Sequence, residues 1–401
     1  MANVKLFLFA VLTGWTLTAA AQVVYTKVTD KRFIKHIITS EFISEGVAVA
    51  DVNNDGKPDI LAGAYWFEAP NWVKHEIDTP RRYDPLTQFS NSFLDFRMDV
   101  NQDGWVDLIR VSLPGEEIVW YENPGAGGAS GGPAGRAGRG EAERYWRMHP
   151  ILAHAGNESP MLVDVDGDGR PDILCNDWVA KEMIWMKSPS VKGDTVWTRH
   201  VIARGDMGTG RYTHGLGFFD MNGDGRADVV ITKGWWERPA DATTENWVFH
   251  PADLGEDCAQ IYPFDVRGNG VKDLITSSAH RYGIWWHEPT ANPGIWVHHL
   301  IDSSVSETHS LAMADINGDG HPDLVTGKRY YAHNGEDPGG HDPAILNWYE
   351  FRPGARPVWV RHLIDTNSGV GEQVLVKDMN GDGKPDIVVA NKKGLFWWEQ
   401  R

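Results

Sequence analysis

A nine-residue loop rich in Asp, Asn and Gly occurs seven times along this chain of 401 residues, and no other feature constrains the fold as tightly. The copies span residues 51–59, 99–107, 164–172, 220–228, 265–273, 315–323 and 378–386. A repeat at a period of about 45 to 65 residues means one supersecondary unit stacked many times. Before each loop comes an alternating stretch such as Gly46-Val-Ala-Val-Ala-Asp51, and after it an apolar run such as Ile60-Leu-Ala-Gly-Ala-Tyr65. Strand, tight Asp/Gly turn, strand is a hairpin signature.

Two further elements complete the unit. One is an aromatic pair, usually followed by Glu, as in Trp66-Phe67-Glu68, Trp120-Tyr121-Glu122, Trp235-Trp236-Glu237, Trp285-Trp286, Trp348-Tyr349-Glu350 and Trp397-Trp398-Glu399. The third copy keeps only Trp185. The other is Trp-x-x-His, at Trp72/His75, Trp146/His149, Trp197/His200, Trp247/His250, Trp296/His299 and Trp359/His362. Four strands per unit, A to D, describe a propeller blade. The last copy stops after its third strand, and the missing fourth stands at the other end as Phe33-Ile-Lys-His36-Ile-Ile. The expected fold is therefore an all-β, seven-bladed β-propeller with four-stranded blades. Its ring is closed by the N-terminal strand completing the last blade, which removes open sheet edges. The 19 tryptophans are expected to pack between blades.

The Asp-x-Asn/Asp-x-Asp-Gly-x-x-Asp hairpins resemble the FG-GAP repeats, also called VCBS repeats, of integrin-type and bacterial secreted propellers. The resemblance covers residues 32–401. It implies a fold that serves adhesion, lectins and lyases alike, so function must be argued from sites.

Residues 1–21 read as a secretory signal, with Lys5, an apolar core from Leu6 to Leu17 and Ala19-Ala20-Ala21 before Gln22. Residues 22–401 then form a single propeller, secreted or periplasmic, with no membrane span. Cys175 and Cys258 fall on different blades and are expected to be buried thiols rather than a bridge. The net charge of −17 argues against nucleic acid and other polyanions as partners. A Gly-rich stretch, 125–140, reads as a surface insertion between strands C and D of blade two.

Oxygen ligands at alternate loop positions, followed by a carboxylate, suit structural Ca²⁺. The expected ligands are Asp51, Asn53, Asp55 and Asp59; Asp99, Asn101, Asp103 and Asp107; Asp164, Asp166, Asp168 and Asp172. Further on they are Asp220, Asn222, Asp224 and Asp228; Asp315, Asn317, Asp319 and Asp323; Asp378, Asn380, Asp382 and Asp386. Blade five departs, with Arg267 at the third position, where a guanidinium is expected to replace the ion.

The A–B loops lie on one face of a blade, so chemistry is expected on the other, at the D–A and B–C connections. Seven histidines recur at one strand D position and are structural by repetition. His154, His214, His280, His309, His333 and His341 follow no period and fall on the second face. Departure from the repeat on one face is what a function grafted on a scaffold looks like. Thr213-His214-Gly215 and Thr308-His309-Ser310 occupy equivalent positions. With Glu158 they are expected to form a site for one catalytic divalent metal, with Zn, Mn, Ni or Mg as candidates.

A long B–C insertion of blade six runs from Lys328 to Asp342. This stretch and Glu307-Thr-His309 look like the propeller part of aldos-2-ulose dehydratase, an enzyme family removing water from oxidised sugars. The resemblance covers mainly blades four to six, and this chain has no room for that family's cupin domains. It implies metal-assisted β-elimination by a carbon–oxygen lyase, a sugar dehydratase or polysaccharide lyase. His214, His309, Arg281, Tyr282, Tyr330, His333 and Lys328 are the catalytic candidates. Glu45, Asn176, Asp177, Arg211, Arg329, His280, His341 and Lys392 are candidates for binding an oxidised or acidic sugar. The competing reading is a non-catalytic, lectin- or integrin-like propeller whose same face binds glycan or a protein partner.

Overall fold

The computed structural model describes residues 24–127, 144–292 and 294–401. The expected leader, and most of the Gly-rich insertion, lie outside the described residues. Seven antiparallel sheets follow one another along the chain. Blade one comprises Ala48–Ala50, Asp59–Ala62, Tyr65–Glu68 and Val73–Glu76. Blade four comprises Gly217–Phe219, Asp228–Ile231, Gly234–Glu237 and Val248–Pro251. The ring closes as expected: Phe33–Thr39 pairs antiparallel with Gly394–Gln400, His36 opposite Trp397. One strand was not legible in the repeat. Val24–Thr29 adds a fifth strand to blade six, parallel to Val358–Asp365.

Packing lies between blades. Ile43, Val47 and Ile60 of blade one share a buried cluster with Val388, Leu395 and Trp397 of blade seven. Among the described residues twelve tryptophans are buried, Trp120, Trp185, Trp348 and Trp359 at 0 % exposure, so core packing accounts for most of the indoles. Each strand D histidine stacks on a strand C tryptophan, ring centroids 3.8–4.3 Å apart in all seven blades. In six blades its Nε2 also meets the following Glu at 2.7–3.0 Å. Those histidines are structural. The stacking corrects one register: in blade five the repeating trio is Trp286-His287-Glu288, one residue beyond the Trp285-Trp286 pair.

The ninth residue of every loop is an aspartate buried at 0 % exposure. One of its oxygens accepts the N–H of the second loop residue, from Val52 in blade one to Met379 in blade seven. The other accepts an N–H at or just past the end of strand C in six blades. This carboxylate ties turn to blade through the backbone, a second role beside the ligand role expected of it. Gly56, at φ +86°, provides the left-handed turn that a side chain would strain.

The first-position aspartates draw the turn inward. Asp51 accepts N–H groups from Asp55 and Gly56, and five other loops repeat the pattern. Asp164, Asp166 and Asp172 each present an oxygen within 4.8 Å of the others, a spacing that fits a cation. Cationic side chains already sit on several of these carboxylates, Lys187 on Asp166 and Asp168, and Lys57 on Asp55. In blade five Arg267 pairs with Asp273 and Glu288, so a guanidinium meets the loop's carboxylate there. Cys175 and Cys258 are free, buried thiols.

Candidate metal centre

Four histidines from three blades converge on the face opposite the Asp/Gly loops. His214 precedes strand A of blade four and His309 precedes Leu311–Ala314 of blade six. His280 follows Asp273–Ser278 of blade five, and His333 comes from the blade six insertion. Ring centroids lie 4.6 Å apart for His214–His280, 5.8 Å for His214–His309, 4.4 Å for His280–His333 and 5.0 Å for His309–His333. Glu158, inside the irregular strand Ala155–Val163 of blade three, completes the group. Glu158, His214, His309 and His333 each bring one ligand atom within 4.8 Å of the others. The expected Glu158/His214/His309 trio is therefore assembled, with His333 as a fourth donor where an acid–base role was expected.

The donor set fits a divalent metal on independent grounds. The Nε2 atoms of His214, His309 and His333 and Oε2 of Glu158 are all buried without a hydrogen-bond partner. Buried polar atoms are normally satisfied, so four orphans aimed together call for a shared partner. His214 Nε2 and Glu158 Oε2 lie 3.2 Å apart as an ion pair, a contact a shared metal would displace, whereas His309 Nε2 and His333 Nε2 face no polar partner. His309 Nδ1 meets the carbonyl of Glu307 at 3.1 Å, and His333 Nδ1 meets Asp337 at 2.7 Å. An acceptor at Nδ1 puts the proton there and leaves the lone pair on Nε2 for a ligand. Burial, with Arg329 nearby, lowers His333 to about 4 and holds His309 well below its usual range, which favours the neutral imidazoles that ligation requires. Burial also resists charging His214, but Glu158 outweighs it and raises that ring. Burial resists ionisation of Glu158, but His214 and Arg329 outweigh it and hold the carboxyl low.

Beside this group lies a buried charged cluster, called the plug below. Arg329, 2 % exposed, pairs with both Glu45 and Glu372, with Glu158 3.9 Å away. Burial and the neighbouring glutamates push Glu372 well up. Lys328 pairs with Glu307, both buried. Removing the cation from such a cluster strands buried carboxylates, which costs about 3–5 kcal/mol. Arg329→Met is expected to destabilise the fold by that order, read from urea midpoints at constant slope.

Several sugar-binding candidates have other partners. Asn176 is fully buried and donates to the carbonyls of Gly208 and Gly210, holding the loop before His214. Asp177 caps its own turn and pairs with Arg199. Arg329, Glu45 and Lys328 belong to the plug. Arg211 donates to the Pro114 carbonyl and leans on Trp178. Lys392 sits 4.0 Å over the Phe89 ring, and burial lowers it to about 8. Tyr282 donates to Asp342 at 2.6 Å, Tyr330 lies under Lys393, and His341 packs beside Tyr331. Arg281 pairs with Glu256 at 3.6 Å at the surface, its side chain 65 % exposed. His154 stands outside the group of four. Asp337 had no sequence signal of its own; only the folded insertion brings it to His280 and His333.

The comparisons agree on the repeat and leave the chemistry to the site. The FG-GAP-like repeat model matches residues 99–175, 164–231 and 265–326, and the FG-GAP repeat model matches 45–70. Human integrin alpha-7 (Homo sapiens) is 40 % identical over 82 residues, 20 % of this chain and 7 % of the integrin. The match thus spans a small fraction of that relative's length. Among solved structures, BBS1N in complex with ARL6DN aligns at TM-score 0.51 and 8 % identity, covering 92 % of this chain and 97 % of that one. The V. cholerae biofilm matrix protein Bap1 aligns at TM-score 0.44 and 9 % identity over 95 % and 91 %. At these identities the likeness is one of fold. No described helix is long and apolar enough to cross a membrane.

Proposed function

For this chain, a seven-bladed propeller of FG-GAP repeats, we propose a carbon–oxygen lyase acting on an oxidised or acidic sugar at a divalent-metal centre. The observation that carries the reading is the convergence of His214, His309, His333 and Glu158 with their ligating atoms orphaned. Residues 1–21 would direct export, and the six loops with full ligand sets would hold structural calcium.

In the reaction, a base removes the proton from the carbon beside a carbonyl or carboxylate, and that bond's electron pair enters the enolate. The enolate collapses to the alkene as the bond to the β-oxygen breaks. The oxygen leaves with its electron pair and takes up a proton, so the sugar loses water or an alcohol without any redox partner. A cation at the four donors would stabilise the negative charge of the enolate oxygen. Arg281, exposed and paired with Glu256 at 3.6 Å, would exchange that partner to orient the substrate's carbonyl or carboxylate. The plug of Arg329, Glu45 and Glu372 would keep the donors' scaffold rigid.

The test is metal analysis of the mature protein beside His214→Ala/His309→Ala. The reading expects one non-calcium equivalent per chain that the double variant loses. It also expects an ultraviolet-absorbing alkene from a panel of hexosuloses and uronic polymers. A metal content unchanged by the variant would end it. A non-catalytic propeller binding glycan or protein is the second reading, favoured by the identity to integrin alpha-7. It expects neither this metal nor the alkene.

A further inference from the structure

We propose that Asp337 positions the centre and that His280 is its proton-transfer group; this rests on the metal-centre reading above. A single oxygen of Asp337 meets two imidazoles, His280 Nδ1 at 2.9 Å and His333 Nδ1 at 2.7 Å. A carboxylate only accepts, so both rings carry their proton on Nδ1 and offer a lone pair at Nε2. The two dyads differ in where that lone pair is. His333 Nε2 is buried with Glu158, His214 and His309 as a fourth donor. His280 lies outside that set, although with His333 and Asp337 it forms a second, less buried group of ligand spacing. Its side chain is 36 % exposed, and its ring sits 4.6 Å from His214 and 4.4 Å from His333. An imidazole spent as a ligand cannot also relay protons, whereas one beside the ligands, oriented by a carboxylate, is placed to do so.

The other acid–base candidates are committed elsewhere, Tyr282 to Asp342 and Tyr330 to Lys393. The backbone supports the assignment. Tyr331, His333 and Asn334 all have left-handed φ, at 53°, 47° and 59°. Such strain in non-glycine residues persists where surrounding contacts over-determine it, and it concentrates at functional sites. Asp337, with Tyr282–Asp342, ties this insertion to blade five. In the reaction His280 Nε2 would take the proton from the carbon beside the carbonyl. It would return that proton to the departing oxygen, ending each cycle neutral.

Titration of the chelator-stripped protein with Co²⁺ alone, followed by its visible absorption, tests Asp337 without any substrate. Asp337→Asn keeps the shape and removes the charge; outer-shell losses of this kind weaken affinity about 10–100-fold. Asp337→Glu is expected to recover part of that loss, which a misfolded variant would not. Unchanged affinity in Asp337→Asn overturns the positioning role. His280→Gln is expected to keep Co²⁺ affinity within about threefold while alkene formation from a hexos-2-ulose falls about 10²–10⁴-fold in kcat, with KM unmoved. A variant that loses Co²⁺ makes His280 a ligand instead, and one that keeps turnover removes its proton role. Wild type binding no Co²⁺ at this centre defeats the underlying metal reading, a result distinct from either failure.

Discussion

Stripping divalent cations from this protein is expected to lower its melting temperature by on the order of 15 °C, the largest change available without mutation. A ligand held at 100 times its dissociation constant adds about 2.7 kcal/mol, and six loops with complete oxygen sets act in parallel. Spread over a chain of this size, each kcal/mol moves the midpoint by roughly 1–2 °C. The effect should also depend on pH. Burial raises Asp59, Asp228 and Asp323 to about 6, Asp172 to about 7 and Asp107 to about 8. An acid whose folded value is raised binds more protons folded than unfolded, so stability falls as pH climbs from about 4 to the raised value. In chelator the protein should therefore melt lower at pH 8 than at pH 5, and calcium should close the gap. Scanning calorimetry at both pH values, with chelator and with excess calcium, reads both effects. Equal midpoints with and without calcium would remove the ion from these loops.

Acid should open blade five first, and His287 is the reason. Its side chain is 1 % exposed where other blades carry Phe67, Tyr121 or Tyr349, and it is held between Thr276 Oγ1 and His298 Nδ1, each at 2.7 Å. Burial, then repulsion from His298 and His299, lowers it to about 3. The unfolded chain takes this proton near pH 6.5 and the folded chain resists it. The stabilisation is thus whole above pH 6.5 and lost as pH falls towards 3, approaching about 5 kcal/mol at 1.36 kcal/mol per unit. His287→Phe with Thr276→Val removes the titrating group and the hydroxyl it would strand. At pH 7 the double variant should unfold within about 1–2 kcal/mol of the parent, since both partners of the bond go together. At pH 4 it should be the more stable by several kcal/mol. Parallel urea curves at the two pH values decide this, and an unchanged difference would sink it.

The repeat determined most of this architecture. Aspartate ladders, strand C tryptophans and strand D histidines recur because each blade solves the same local problem, and local solutions are written in local sequence. Even the ring closure was legible, since His36 carried the strand D pattern to the wrong end of the chain. The pairing of Glu158, His214 and His309 was legible too, as departures from period at equivalent blade positions. What only the tertiary structure decided lies in the aperiodic parts. His333 became a donor, Asp337 joined it to His280, and Arg329 sank into a plug rather than facing a substrate. The parallel strand Val24–Thr29 belongs with these. Their partners stand on other blades or across a strained insertion, at sequence distances where no periodicity operates. Which side chains meet there is set by how the ring closes and how one loop folds across its face, and that is a property of the assembled ring alone.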